Sequence, residues 1–403
     1  MSENNASPIA AGVDRVDRDA VRRLFDDVYG ADSGGEARAF QSPGRVNLIG
    51  DHIDYSGGSV LPMALDRGTY FVVRPNHDGV VRGISANYTQ DGVMEVSLAD
   101  TSRRDDMGWF AYVAGVIHEL EAGGTPLSTG LDIALAGDIP DGSGLSSSSS
   151  LELGVAVAAD TIGELGLDAT ELALVGQRAE NNYIGVATGI MDQLTIAKGR
   201  AGHALLMDCA QLSVEYVPFP HDRARVIIAD TKQRRSLDGS AYNERRSSVE
   251  TAAFLLEMAS VIDLPEAELD VVAARLDDPD MLARVRHTVT EQARVLQAAE
   301  ALKSGDLVRF GALMKQSHES LRDDFEVTGP ALDALAEAAW AQPGCIGARM
   351  TGAGFGGCVV ILAEPGREDE VVSGTRAGYR SVTGVVADFL LVTSDDGARE
   401  VDL

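Results

Sequence analysis

The stretch Pro140-Asp141-Gly142-Ser143-Gly144-Leu145-Ser146-Ser147-Ser148-Ser149-Ser150-Leu151-Glu152 constrains this chain more than any other. Upstream, Leu131-Asp132-Ile133-Ala134-Leu135 alternates apolar with polar or small residues, the pattern of a half-buried strand. Downstream, Leu151 to Leu165 is rich in Ala, Leu and Val with Glu and Asp spaced among them, the pattern of a buried or amphipathic helix. The stretch is therefore a loop between a strand and a helix start. Glycine lets backbone amides approach an anion closely, and a helix N-terminus points unpaired N–H groups outward. Serines add caps, phosphate donors and a hard oxygen for Mg²⁺. The natural guest is a polyphosphate. The loop has no lysine, so it is not G-x-x-x-x-G-K-[ST], and its spacing is not that of a dinucleotide fingerprint. What it holds, it holds with backbone dipoles and hydroxyls. A Ser/Gly linker would lack the apolar periodicity found on both sides.

Two other stretches carry chemistry. Short apolar pieces, Val46 to Ile49 and Val60 to Leu65, bracket Asp51, His52, Asp54 and Tyr55, which are followed by Gly57-Gly58. Hydrogen-bonding side chains this dense, in a loop carried by apolar strands, suit a polyhydroxyl ligand such as a sugar; a solvated loop is the alternative. Gly185-Val186-Ala187-Thr188-Gly189-Ile190-Met191-Asp192-Gln193 is a small-residue loop presenting one carboxylate, which could also serve only to cap a helix.

Composition narrows the function classes. The formal charge of -28 argues against nucleic acid as a partner. It would also repel a bound nucleotide, but screening over ~8 Å at physiological salt leaves local amides, cations and Mg²⁺ in control. The cations are almost all arginine, the only lysines being Lys198, Lys232, Lys303 and Lys315. Acid excess with so little lysine suggests adaptation to concentrated salt, or an acidic proteome encoded by a GC-rich genome. No apolar run approaches the ~18 residues of a membrane helix, and no signal peptide is evident. Cys209, Cys345 and Cys358, odd in number and widely spaced, argue against a disulfide framework or a zinc site and fit a reducing cytoplasm.

Periodicity predicts a helix over Val16 to Tyr29, strands over Thr69 to Arg74 and Gly83 to Tyr88, and helices over Trp109 to Leu120 and Glu171 to Ile184. Strands are predicted over Gly202 to Met207, Ser213 to Val217 and Ala224 to Asp230. A polar loop and helix then span Leu237 to Met258, with further helices to Ala339. Arg349 to Ile361 reads as a second glycine-rich loop running into a strand, and Asp388 to Val392 as the last strand. The length allows two domains, here residues 15–208 and 209–403, after a disordered segment 1–14.

Taken together, Gly44 to Gly58, Gly142 to Glu152 and Met350 to Cys358 resemble the motif set of the galactokinase branch of the GHMP small-molecule kinases. Ser240-Ala241-Tyr242-Asn243-Glu244-Arg245-Arg246 and Met314 to Phe325 are similar to two further pieces of that family, and all five lie in its order. The resemblance implies an α+β fold of two domains, with mixed sheets covered by helices and the active site in the cleft between them. It implies cytoplasmic transfer of the ATP γ-phosphoryl group to the anomeric hydroxyl of a galactose-type sugar, with Mg²⁺. Sister reactions on N-acetylgalactosamine, arabinose or a uronic acid, or a non-catalytic sensor of ATP and sugar, are the alternatives. Its implied partners are small molecules only, and a monomer is expected, with a dimer as the alternative. By the same resemblance Asp192 is the catalytic base and Arg45 its cationic partner. Ser148 and Glu180 are the Mg²⁺ ligands. Asp51, His52, Asp54, Gly189 and Tyr242 are sugar contacts. Gly142, Ser143, Gly144, Leu145, Ser146, Ser147 and Ser148 form the phosphate loop, with Trp109 near the adenine.

The chain departs from the family pattern at several positions. Asp51 stands where glutamate is more usual. Its carboxylate is shorter by one carbon–carbon bond, ~1.5 Å, more than a hydrogen bond stretches, so the loop must shift or a water must bridge. Ile53 replaces a common threonine, as in the N-acetylgalactosamine kinase variant. Ser149 replaces alanine, and Arg235 sits where histidine is frequent. None removes a proposed catalytic group; they bear on which sugar is accepted.

Overall fold

The run Tyr70-Phe71-Val72-Val73 has no polar alternation, so a strand built from it must be covered on both faces. A computed structural model describes residues 15–30, 35–140, 142–233 and 240–403 and shows that cover. Strand Pro62–Asn76 lies inside a six-stranded sheet. From one edge the order is Arg399–Val401, Arg38–Asn47, Pro62–Asn76, Gly130–Gly137, Val80–Ser85 and Met94–Ser97. Tyr70 and Val72 pack with Val21 and Phe25 of helix Arg18–Tyr29. Phe71 and Val73 share a core with helices Phe110–Ala122 and Ser147–Gly163. The sheet is mixed, since Val80–Ser85 runs parallel to Gly130–Gly137 while the other pairs are antiparallel.

A second sheet holds Cys345–Thr351, Cys358–Ala363, Arg225–Asp230 and Asp388–Val392 in that order, all antiparallel. One face, with Ile227, Ala229, Val359 and Ile361, packs on C-terminal helices through Val249, Leu332 and Tyr379. The other, with Val226, Ile228, Val360 and Leu362, joins a core containing Val46, Leu48, Ile49, Ile53 and Val60. The apolar residues around the Asp51–Tyr55 cluster are therefore the material that joins the two halves. This is why the cluster sits at their junction.

Several elements differ from the expected pattern. The strand expected at 83–88 is Val80–Ser85, because pairing of Val81–Ser85 with Leu131–Leu135 sets its place and the chain turns at Ser85, whose carbonyl accepts from Tyr88 N. Asp388–Val392 is not the last strand. Arg399–Val401, too short and polar to show a pattern, returns to the edge of the first sheet and sets Val401 opposite Ala39. A small sheet of Ser59–Val60, His203–Asp208 and Ser213–Pro218 also crosses position 208. The helix expected to end at Ile184 is regular over Ala169–Arg178 and widens into a π turn over Ala179–Ile184. Segment 1–14, Asp141, Arg235 and Leu237 lie outside the described residues. Among those described, no helix is long and apolar enough to cross a membrane. All three cysteines are free thiols.

Candidate active site

Strand Arg38–Asn47 carries a bulge between Pro43 and Arg45, which re-aims the strand where Arg45 leaves it. Arg45 N donates to Leu145 O (3.1 Å) and Arg45 Nη1 to Gly144 O (2.6 Å), so the arginine holds the glycine–serine loop from both backbone and side chain. Its Nε and Nη2 reach Asp192 Oδ1 at 2.8 and 2.6 Å. The other carboxylate oxygen of Asp192 accepts from the Ser146 hydroxyl. Asp192 lies in the first turn of helix Met191–Lys198, yet its side chain faces the arginine instead of capping. It keeps 25% of its side-chain exposure against 4% for Arg45.

The loop takes left-handed backbone at Gly142, Gly144 and Ser146 (φ 66°, 76° and 61°) before the helix starts at Ser147. Ser146 holds the capping position but gives its hydroxyl to Asp192, so no side chain caps this helix. Its first amides are left for a ligand, the arrangement that favours an anion. The Ser143 hydroxyl is buried without a partner among the described residues. The second glycine-rich loop backs this one: a Cβ on Gly357 would lie 3.3 Å from Ser143 O and 3.5 Å from Gly142 O.

Ser148 and Glu180 meet beside the loop, Ser148 Oγ donating to Glu180 Oε1 at 2.8 Å. Glu180 Oε2 accepts from Thr188 Oγ1 (2.8 Å) and Gln193 Nε2 (2.9 Å). Gln193 Nε2 also reaches Glu152 Oε2 at 3.2 Å. Burial pushes the Glu180 carboxyl above its ordinary range, and Asp192 adds to that. Burial and Glu180 push fully buried Glu152 well up. The π turn brings Glu180 to this place, a distortion frequent at functional sites.

Across Asp192 lies the polar cluster of Asp54, His52, Tyr55 and Tyr242. Asp54 sits against Gly189, where a Cβ would stand 1.9 Å from Asp54 Oδ2, so any larger residue there must push the Asp54 carboxylate aside. Burial pushes the Asp54 carboxyl up to about 6, with Asp192 adding to the shift. His52, in left-handed backbone (φ 66°), donates Nε2–H to Ala353 O (3.1 Å) and accepts at Nδ1 from Tyr55 OH (3.2 Å). Its ring is 5.3 Å from that of Tyr242 and 5.0 Å from that of Phe325. Asp54, Tyr55, Gly189, Asn181 and Arg246 are among the residues lining a polar cavity of about 260 Å³. Trp109, just before helix Phe110–Ala122, packs edge-on to Phe110, and its indole Nε1 is buried without a partner among the described residues.

Asp51 is engaged differently from its neighbours His52 and Asp54. Its carboxylate is held in the junction, accepting from Arg349 Nη1 (2.5 Å) and Gly352 N (3.1 Å). Both partners belong to the second glycine-rich stretch, and the shorter aspartate side chain is fully engaged there. Burial pushes its carboxyl upward and Arg349 opposes that. Beneath it, Glu291 accepts from Gly50 N (3.0 Å), Ser317 Oγ (2.5 Å) and Arg294 Nε (2.6 Å). Burial pushes the Glu291 carboxyl up, but Arg294, His287, Arg349 and Ser317 outweigh it and hold the group down at about 2. His287 bridges Asp51 O (3.2 Å) and Ser320 Oγ (3.0 Å). Sequence reasoning missed Arg349, Glu291 and His287. A signal existed: His287 and Glu291 are four apart on helix Pro279–Ser304, the spacing that puts both on one helix face.

Comparison with known proteins fits this arrangement. Residues 23–75 match the galactokinase galactose-binding signature, 111–200 the GHMP kinases N terminal domain and 298–380 the GHMP kinases C terminal domain. A galactokinase of Exiguobacterium sibiricum is 44% identical over 386 residues, covering 95% of this chain and 98% of that protein. One from Streptococcus thermophilus is 41% identical, with 95% and 99% covered. The crystal structure of Lactococcus lactis galactokinase complexed with galactose superposes with a TM-score of 0.92 at 38% identity, covering 95% of this chain and 99% of that one. Methanococcus jannaschii mevalonate kinase shares the fold at 19% identity, TM-score 0.63, over 91% of this chain and all of its own. A bulge-aimed arginine on the Asp192 carboxylate, a lysine-free glycine–serine loop and these relatives agree: the chain belongs to the galactokinase family of GHMP kinases.

Proposed function

We propose that this chain transfers the γ-phosphoryl group of ATP to the anomeric hydroxyl of galactose. The observation that carries the reading is the place of Asp192, between the phosphate loop, through Ser146 and Arg45, and the acceptor cluster of Asp54, Gly189 and Tyr242.

A sugar hydroxyl is a weak nucleophile near neutral pH. Asp192 takes its proton as the oxygen attacks the γ-phosphorus; the new O–P bond forms as the bond to the β-phosphate oxygen breaks, and ADP leaves. Such a base contributes ~10²–10⁴-fold. Arg45 holds Asp192 Oδ1 in place and offsets charge growing on the attacking oxygen. The uncapped helix start at Ser147 receives phosphate oxygens. The unpaired indole N–H of Trp109 is a donor for the adenine side. Asp54, His52, Gly189 and Tyr242 orient the sugar, while Asp51 acts from behind by fixing the loop.

Ser148 and Glu180 fit Mg²⁺, since both donors are hard oxygens 2.8 Å apart. Among the described residues no three His, Cys, Asp or Glu side chains gather as a protein-only cage. A serine and a glutamate with the nucleotide's phosphates is the usual way this ion is held. Bound there, it neutralises charge on the β and γ oxygens.

The test is ADP release from ATP across a panel of free sugars, at low and high KCl. Turnover with galactose that exceeds that with N-acetylgalactosamine or arabinose supports the reading; release with no sugar, or none with galactose, contradicts it.

A further inference from the structure

Glu180 offers its two oxygens unequally. Oε2 is taken by two donors, Thr188 Oγ1 at 2.8 Å and Gln193 Nε2 at 2.9 Å. Among the described residues, Oε1 meets only Ser148 Oγ. Gln193 Nε2 has two hydrogens, and the second points to Glu152 Oε2 at 3.2 Å. Glu152 stands four residues after Ser148 on the same helix, so the two side chains stack on one face. Both Gln193 and Glu152 are fully buried.

Ordinary core satisfaction does not explain this pair. Glu152 Oε1 and Gln193 Oε1 are both buried with no hydrogen-bond partner among the described residues. Each is a desolvated oxygen left uncompensated, which an apolar pair of the same shape would avoid. A half-satisfied polar pair in the core weakens the fold unless it serves something else. What it touches is Glu180.

We propose that Gln193, anchored by Glu152, is a positioning residue that locks Glu180 so that only Oε1, on the Ser148 side, is offered to a divalent cation. Gln193 directly follows Asp192. The first turn of helix Met191–Lys198 thus fixes the carboxylate that takes the proton and, one residue on, the carboxylate that faces the phosphates. Any tilt of that turn moves both together. The inference rests on reading Ser148 and Glu180 as the metal holders, and the test separates the two.

The experiment uses the full chain with ADP and Mn²⁺ as the paramagnetic probe, reading free Mn²⁺ by electron paramagnetic resonance. Gln193→Met is expected to weaken Mn²⁺ binding by about 10-fold or more, the usual effect of removing a group that orients a ligand. Galactose binding measured without nucleotide stays within about twofold, because Gln193 does not touch the acceptor cluster. Glu152→Gln keeps an acceptor opposite Gln193 Nε2 and stays within about threefold of wild type. Should Gln193→Met not fold, Gln193→Asn, which keeps the amide but shortens its reach, is read in its place with the same expected loss. If Glu180→Ala weakens Mn²⁺ binding while the Gln193 variant does not, the positioning role is wrong and the metal reading stands. If Glu180→Ala leaves Mn²⁺ binding unchanged, the metal reading fails and this inference with it.

Discussion

Arg45–Asp192 and Arg349–Asp51 are the same chemical pair with opposite fates. In the first, the carboxylate keeps a quarter of its side-chain exposure, and its arginine also holds the glycine–serine loop. In the second, arginine and aspartate side chains are 0% and 2% exposed, and the aspartate also takes the Gly352 amide. A carboxylate that must exchange a proton with a substrate has to be reachable. One that ties two halves of a chain together has to be sealed, because water would weaken the tie. On the proposed reading, exposure, and not the identity of the pair, separates a reacting group from a joint. The joint also reaches the acceptor side: Asp51, His52 and Gly50 are all held by groups from the C-terminal half.

The largest stability effect should come from breaking the sealed pair. Arg349→Met leaves Asp51 buried without its cation and should cost about 3–5 kcal/mol, read as a lower denaturant midpoint in tryptophan fluorescence. The double variant Asp51→Asn/Arg349→Met should recover much of that loss; no recovery would mean that the methionine fails on packing and not on charge. Gly189→Ala comes next. Its Cβ collides with Asp54, so overpacking should cost ~1–3 kcal/mol and kcat/KM for galactose should fall on the order of 10-fold or more.

The third prediction concerns pH. Asp54 is raised from 3.8 to about 6, chiefly by burial. Between these values the folded state binds more protons than the unfolded one, so stability falls as pH rises through the window. Asp54→Asn removes that term. Relative to Asp54→Asn, the ligand-free wild type should lose on the order of 1–2 kcal/mol between pH ~4 and ~6.5. A constant difference across the range would contradict the buried placement of Asp54. The smallest effect belongs to a surface pair. Arg38–Glu400 ties the last strand to the first sheet, but its side chains are 35% and 42% exposed. Glu400→Gln should move the midpoint by less than ~1 kcal/mol.

Much of this was legible in the sequence because each feature was local. The glycine–serine loop is flanked by a period-2 segment and a helical one, and both formed. Asp192 stood out as the one carboxylate of a small-residue loop and Asp54 as part of a dense polar cluster, while Glu180 and Gly189 came from the family resemblance. What stayed hidden was pairing over distance. Nothing near Asp51 announces Arg349, almost three hundred positions away, so Asp51 was grouped with its sequence neighbours His52 and Asp54. The edge strand Arg399–Val401 was invisible because three residues carry no period. Gln193 was passed over because its partners, Glu152 and Glu180, come from two other helices.

The claim that the exposed pair reacts and the sealed pair only holds is tested most directly by Asp192→Asn, measured for ADP release with saturating ATP and galactose. The expected result is a kcat lower by ~10²–10⁴-fold with galactose affinity and the denaturant midpoint close to those of wild type. A kcat near the wild-type value in the folded, sugar-binding variant would contradict it.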